Sequence, residues 1–324
     1  MSQQQTQLTQ YTFNTYLYNP AYAGYVDAVS IVGTFRNQYL GLRLAPDGTL
    51  PDANTDGTNP TDITSGLFDK NDINKGEPIS PILYTISATM PINALKGGIG
   101  VSIINDRIGA FNNVNLNIGY AYHKTFSNGG KLAVGAQVKL DNIVIDKGKL
   151  QFPNEGDPLI GRMDKNDFLV DANFGVYYSQ PNSLFAGLSV LNVIGAKGRS
   201  TMFTEQRSFN LHGGYQLQLP SYPTIKIVPS FWLKTDMKTF QVDLSALATF
   251  KDKFWGGLNY RFDEGLGLIF GLSWKDFFAS FSYDIPMSRI VRAPSFGNVE
   301  VLAGYSFKFD RNKNRKTQKN TRYL

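Results

Sequence analysis

A chain of 324 residues can form one large β domain or two ordinary ones, and its 31 Gly, 23 Phe and 17 Tyr beside only 18% charged residues depart from average soluble usage. The absence of cysteine excludes thiolate metal sites and thiol catalysis. The net charge of +6 resides in residues 308–324, where seven Lys/Arg meet a single acid; the body is neutral, and one short tail without interleaved aromatics argues against nucleic acid as a partner.

Met1 to Gln5 lacks the charged and apolar regions of a secretory leader, so an exported form is expected to have had its leader removed. No stretch reads as a membrane-spanning helix. The uncharged run from Ala172 to Ala196 is broken by the turn signal Gln180-Pro181-Asn182-Ser183, and Pro78 to Leu95 carries Pro78, Pro81 and Pro91.

Residues 11–25 show neither helical nor alternating order, yet hold Tyr11, Phe13, Tyr16, Leu17, Tyr18, Tyr22 and Tyr25. That much apolar surface argues against a freely solvated tail. Pro20 fixes its own φ and biases Asn19 to extended geometry, and Gly24 can take a positive φ. The expectation is an ordered lead-in that plugs or caps whatever the following strands enclose.

From Val29 onward apolar residues recur at every second position, the mark of a strand with one apolar and one polar face. Val29, Ile31 and Phe35 oppose Ser30, Thr34 and Arg36. After a polar segment at 41–79 the alternation returns, through Ile82–Met90, Gly98–Ile103, Val114–Tyr122, Leu132–Leu140, Phe168–Tyr178 and Leu184–Ile194. It continues through Phe209–Leu217, Ile225–Leu233, Phe240–Phe250, Phe254–Phe262, Leu266–Trp274, Phe277–Ile285 and Val299–Phe309. This predicts about fourteen strands of about ten residues, long enough to cross a hydrocarbon layer when tilted. Tight turns near 94, 128, 181, 221, 251 and 275 follow every even strand. The longest connections, 41–79, 146–166, 195–207 and 286–297, follow odd ones. An even strand count with short turns at one end and long loops at the other is the layout of an outer-membrane barrel, with both termini and the short turns periplasmic.

The polar parity carries charges of both signs, and Arg36, Asp171, Asp243 and Arg261 are the candidates for a network across the lumen. Outward aromatics at strand ends (Tyr39, Tyr122, Phe254, Trp274, Phe309) suit interfacial girdles. A soluble β-sandwich also alternates, but a soluble closed barrel this wide encloses more space than side chains fill.

Two stretches carry a family resemblance. Tyr18-Asn19-Pro20-Ala21-Tyr22-Ala23-Gly24 and Phe35-Arg36-Asn37-Gln38, with Gln10-Tyr11 and Phe13-Asn14 ahead of them, are similar to the opening of the PorP/SprF family of type IX secretion outer-membrane proteins. Leu44-Ala45-Pro46-Asp47 departs from the family's usual continuation, and Gly304–Phe309 resembles a barrel's terminal assembly strand. The resemblance implies a non-enzymatic component of the secretion and gliding machinery. It would bind, export or surface-anchor a large cargo protein, such as an adhesin. The cargo's C-terminal domain would meet the outward loops, periplasmic machine subunits the other end, and lipid the outside. The alternative is a transport barrel for small hydrophobic solutes with the lead-in as a hatch; a soluble β-domain is a third possibility.

The expected organisation is therefore a periplasmic or lumen segment at 1–25, a transmembrane barrel at 26–309 and a basic periplasmic tail at 310–324. No cofactor is implied. Asp52, Asn54 and Asp56 before Gly57 match the first half of a calcium loop, though Ile63 stands where a bidentate Glu belongs. His123 and His212, the two histidines, fall on the inward parity with no nucleophile elbow or triad spacing near them, so no catalytic residue is assigned.

Overall fold

A computed structural model describes residues 7–40, 80–146, 166–199, 203–287 and 297–308. Its strands are β1 (Val29–Asn37), β2 (Ile82–Ile92), β3 (Gly97–Ile108), β4 (Phe111–Thr125), β5 (Lys131–Ile145), β6 (Asn166–Ser179), β7 (Leu184–Leu191) and β8 (Ser208–Tyr215). They continue as β9 (Leu217–Leu219), β10 (Tyr222–Thr235), β11 (Phe240–Phe250), β12 (Phe254–Arg261), β13 (Gly265–Trp274), β14 (Phe277–Pro286) and β15 (Asn298–Phe307). Consecutive strands pair antiparallel, except that β8 and β9 both pair with β10, and β15 returns to β1 with Val29 opposite Phe307, so the sheet closes. β8 and β9 are one stave interrupted at Gln216: Gly214 faces Ser230 and Leu217 faces Ile227 in unbroken register along β10. The barrel therefore has fourteen staves, as the alternation predicted.

Hairpin turns at one end place one or two residues at positive φ, as the right-handed twist of the strands they join favours. Lys96, Asn182, Lys251, Asp252 and Lys275 take φ of 52°, 53°, 53°, 54° and 58°. The opposite end carries the long connections. Most of those loops, including 41–79 with its calcium candidate Asp52, Asn54 and Asp56, lie outside the described residues, as do Phe309 and the basic tail.

The alternation sets the two faces. Ile86, Val101, Ile118, Val138, Val170, Leu188, Leu258, Phe270 and Val301 point outward and are exposed around the barrel. An apolar belt on every stave far exceeds the patch a soluble monomer presents, and its physical solvent is lipid. Tyr122, Phe254 and Trp274 are exposed at strand ends, suited to an interfacial girdle. Tyr39 is not among them. β1 ends at Asn37, and Tyr39 turns with φ 51° while its N–H donates to Asn298 at 2.9 Å.

Inside lies the lead-in, built as three single-turn 3-10 helices, Tyr11–Phe13, Thr15–Leu17 and Pro20–Tyr22. None is long enough to be stable alone; the surrounding strands hold them. Leu8, Tyr11, Leu17 and Tyr18 cluster with Leu83, Ile104, Leu191 and Trp232. Tyr16, Ala21, Tyr22, Ala23 and Tyr25 form a second core with Ala121, Ala133 and Tyr177. Phe13 stacks on Trp255 at 5.3 Å within a third.

Candidate functional site

The lead-in threads the barrel lengthwise. Gln7 sits at the long-loop end, where its amide bonds Gln241 and Glu264 at 3.0 Å each. Midway, the Tyr11 hydroxyl meets Ser230 at 3.0 Å and Asn14 accepts from Ser87 at 2.8 Å. At the tight-turn end Tyr25 donates to the Lys131 carbonyl at 2.7 Å, and the Ala23 carbonyl meets His123 Nε2 at 3.0 Å. Within the described residues the lead-in thus runs from the long-loop end at residue 7 to the tight-turn end at residue 25. The physical reason is the distribution of partners. The charged residues that can satisfy the backbone of 8–10 stand where β1, β12, β14 and β15 reach the long loops.

There the Arg36 guanidinium pairs with Asp284 and Glu300, both at 2.8 Å, and donates to the Thr9 hydroxyl at 2.7 Å. Glu300 in turn accepts the N–H groups of Thr9 and Gln10 at 2.9 and 3.0 Å. Gln10 reaches Ser280 and Ser282 as well. Arg261 pairs with Asp243 at 3.0 Å and donates to the Leu8 carbonyl at 3.3 Å. These charges are buried yet paired and hydrogen-bonded, the condition under which burial is tolerated.

The signature Tyr18-Asn19-Pro20-Ala21-Tyr22-Ala23-Gly24 is buried throughout. Asn19 is fully buried; its Oδ1 caps the Ala21 N–H at 3.0 Å and its Nδ2 donates to the Val176 carbonyl at 3.1 Å. Strand glycines make room for this backbone. A Cβ on Gly135 would lie 2.5 Å from the Ala21 nitrogen, and one on Gly98 2.5 Å from the Gly24 Cα. Gly24 itself takes φ 58° to turn the chain towards β1.

Of the four residues expected to form one lumen network, Arg36 and Arg261 flank the lead-in with Asp243, and their further acids are Asp284, Glu300 and Glu264. Asp171 stands apart. Its carboxylate accepts the N–H groups of Ile194, Gly195 and Ala196 at 2.9, 3.0 and 3.1 Å and pins the start of the β7–β8 connection. Phe35 points outward against Tyr84 at 5.2 Å, and Gln38 donates its N–H to the Pro81 carbonyl at 2.9 Å. Asn37 pairs in register with Val299.

Above the lead-in, on the long-loop side, is a vestibule of about 160 Å³. Leu8, Leu17, Tyr18 and Trp232 floor it, and Asn113, Asn115, Asn117 and Lys234 stand in its wall. Lys139 lines it while bonded to Glu205 at 2.8 Å, with Asp141 at 3.3 Å. Burial and the neighbouring Asp141 carboxylate, outweighing Lys139, push Glu205 up to about 7. Sequence reading missed Glu205, which lies in a loop without periodic pattern, and gave Lys234 no role.

A closed fourteen-stave antiparallel barrel with an apolar outer belt and a packed interior segment defines a transmembrane protein of the outer-membrane class. The family described as type IX secretion system membrane protein PorP/SprF matches residues 1–305, and the chain belongs to it. No curated protein matches the sequence significantly. Among solved structures, the TodX deltaS2S3 mutant monoaromatic hydrocarbon channel aligns at 9% identity with a TM-score of 0.52, covering 91% of this chain and 94% of that one. The P. putida toluene transporter TodX aligns at 9% identity and 0.49 over 91% and 94%. A Pseudomonas aeruginosa FadL homologue aligns at 10% and 0.44 over 91% and 90%. At such identities the first likeness concerns the fold alone. The protein is thus an outer-membrane barrel of the type IX secretion system.

Proposed function

We propose that this barrel is a non-enzymatic binding component that exports or surface-anchors a large cargo protein, an adhesin of the gliding machinery, and links it to periplasmic subunits. The family match carries this reading. The long-loop end faces outward and receives the cargo's C-terminal domain; the tight turns and the 310–324 tail face periplasmic subunits. The packed lead-in supports a lumen closed to free diffusion, since Gln7, Thr9, Tyr11, Asn19 and Tyr25 bond it to strands around the circumference. The barrel thus acts as a docking platform.

Transport of small hydrophobic solutes has less support. The vestibule sets amides and the charged Lys139, Glu205, Lys234 and Asp106 beside its apolar floor, whereas pockets for apolar ligands carry only a few polar groups. Affinity purification from the native membrane in mild detergent tests the proposal. It predicts a copurifying large surface protein, lost when the long loops are shortened. Copurifying lipid or detergent in the lumen, with no protein partner, would contradict it.

A further inference from the structure

The vestibule contains hydrogen-bonding groups that the barrel's own structure does not use. Lys234 is 5% exposed, lines the cavity and lies 4.2 Å over the Trp232 ring, yet its ammonium has no hydrogen-bond partner among the described residues. Directly across the β8–β10 pairing is Asn210, also fully buried. The Trp232 Nε1–H donates to Asn210 Oδ1 at 3.1 Å. An indole N–H can only donate, so this bond fixes the amide's orientation and leaves its Nδ2 as the second unpaired donor. Opposing side chains on one face of a sheet stand about 5 Å apart. Asn210 lies behind the wall rather than in it, so the buried Lys234 ammonium is the cationic donor at the cavity, and it calls for an anionic acceptor such as a carboxylate.

The acids near the cavity are already committed or stand elsewhere. Glu205 pairs with Lys139, Asp236 accepts from Lys238 and Thr239 in its own turn, and Asp243 holds Arg261. Asp106 lines the β3–β4 wall, away from Lys234. On that wall Asn113, Asn115 and Asn117 occupy successive inward positions of β4. Asn117 donates to Ser102 at 3.2 Å, and the Asn113 Oδ1 has no partner among the described residues. Alternate residues of a strand repeat every ~6.8 Å, and so do the amide groups of an extended peptide lying beside it. A row of side-chain amides at that spacing matches a polypeptide backbone, which offers both donors and acceptors.

We infer that the vestibule binds the C-terminal end of an extended polypeptide, with its free carboxylate held by Lys234 and its backbone by the Asn113, Asn115 and Asn117 row. The inference deepens the cargo reading by naming the part of a partner that enters the barrel, and rests on that reading only for the partner's identity.

The test uses the full chain in detergent micelles and a pool of random octapeptides, made once with a free C-terminal carboxylate and once as C-terminal amides. The free acids should bind about tenfold or more tightly than the amides, as a charge-assisted hydrogen bond provides. Lys234→Met keeps the apolar stem over Trp232 and should abolish the difference, with heat-modifiable mobility on gels checking that it still folds. Equal binding of acids and amides by the unaltered protein, or a difference that survives in Lys234→Met, overturns the inference. If a large surface protein copurifies but acids bind no better than amides, the cargo reading stands and this inference falls. If acids bind preferentially and no large protein copurifies, the inference stands and the cargo reading falls.

Discussion

Replacing Arg36 by Met tests how the lead-in is held. The guanidinium has a side-chain exposure of 1% and sits 2.8 Å from both Asp284 and Glu300, themselves 8% and 1% exposed. Methionine keeps most of the stem's volume but leaves two buried carboxylates facing each other without a counter-charge. Removing one partner of a buried pair costs about 3–5 kcal/mol. The N–H groups of Thr9 and Gln10 still solvate Glu300, which places the loss near the lower end. Glu300→Gln should cost less, about 1–3 kcal/mol, because the amide oxygen still accepts from the lead-in and Arg36 keeps Asp284. The double variant should lose clearly less than the two singles combined, since the surviving charges no longer conflict. Urea unfolding in detergent, followed by tryptophan fluorescence, reads this well because Trp232 stacks near Tyr11 and Tyr18 and Trp255 on Phe13. A loss below ~0.5 kcal/mol for Arg36→Met, or strict additivity, would refute the idea that this cluster anchors the lead-in.

Other outcomes follow from the same geometry. Gly135→Val should detach the Pro20–Ala21 backbone from β5 and expose the lead-in to protease, while the barrel itself still forms; a lead-in as resistant as in the unaltered protein would contradict this. Glu205 binds its proton more tightly folded than unfolded, so its contribution to stability is fullest in acid and is lost as pH rises from about 4.5 to about 7. Glu205→Gln should flatten the pH dependence of the urea midpoint across that window, and an unchanged slope would count against the Lys139, Asp141 and Glu205 arrangement. Asp171→Asn should loosen the 194–196 backbone, seen as faster amide exchange there, with little effect on the lead-in anchors.

The staves were legible because a barrel in lipid has one simple rule along every strand: apolar outward, anything else inward. Ile86, Ile118 and Phe270 read as outward from spacing alone. The lead-in was legible as ordered, since seven large apolar side chains need a partner. Its direction was not, because that depends on which strand ends carry Glu300, Asp284 and Gln241, positions far away in the chain. The same limit applied to Asp171. Its inward parity was readable, but its use as an acceptor for three loop N–H groups arises from the path of 192–196. Lys234 and Asn210 became visible as a pair only through the β8–β10 register.

Planar-bilayer recording of the purified chain, beside a variant lacking residues 7–25, tests most directly that a segment of the protein itself fills a lipid-embedded cylinder. The intact protein should give no large steady current, and the shortened one, if it inserts, porin-like openings. Large currents from the intact protein, or a shortened form that inserts and stays closed, would contradict the account.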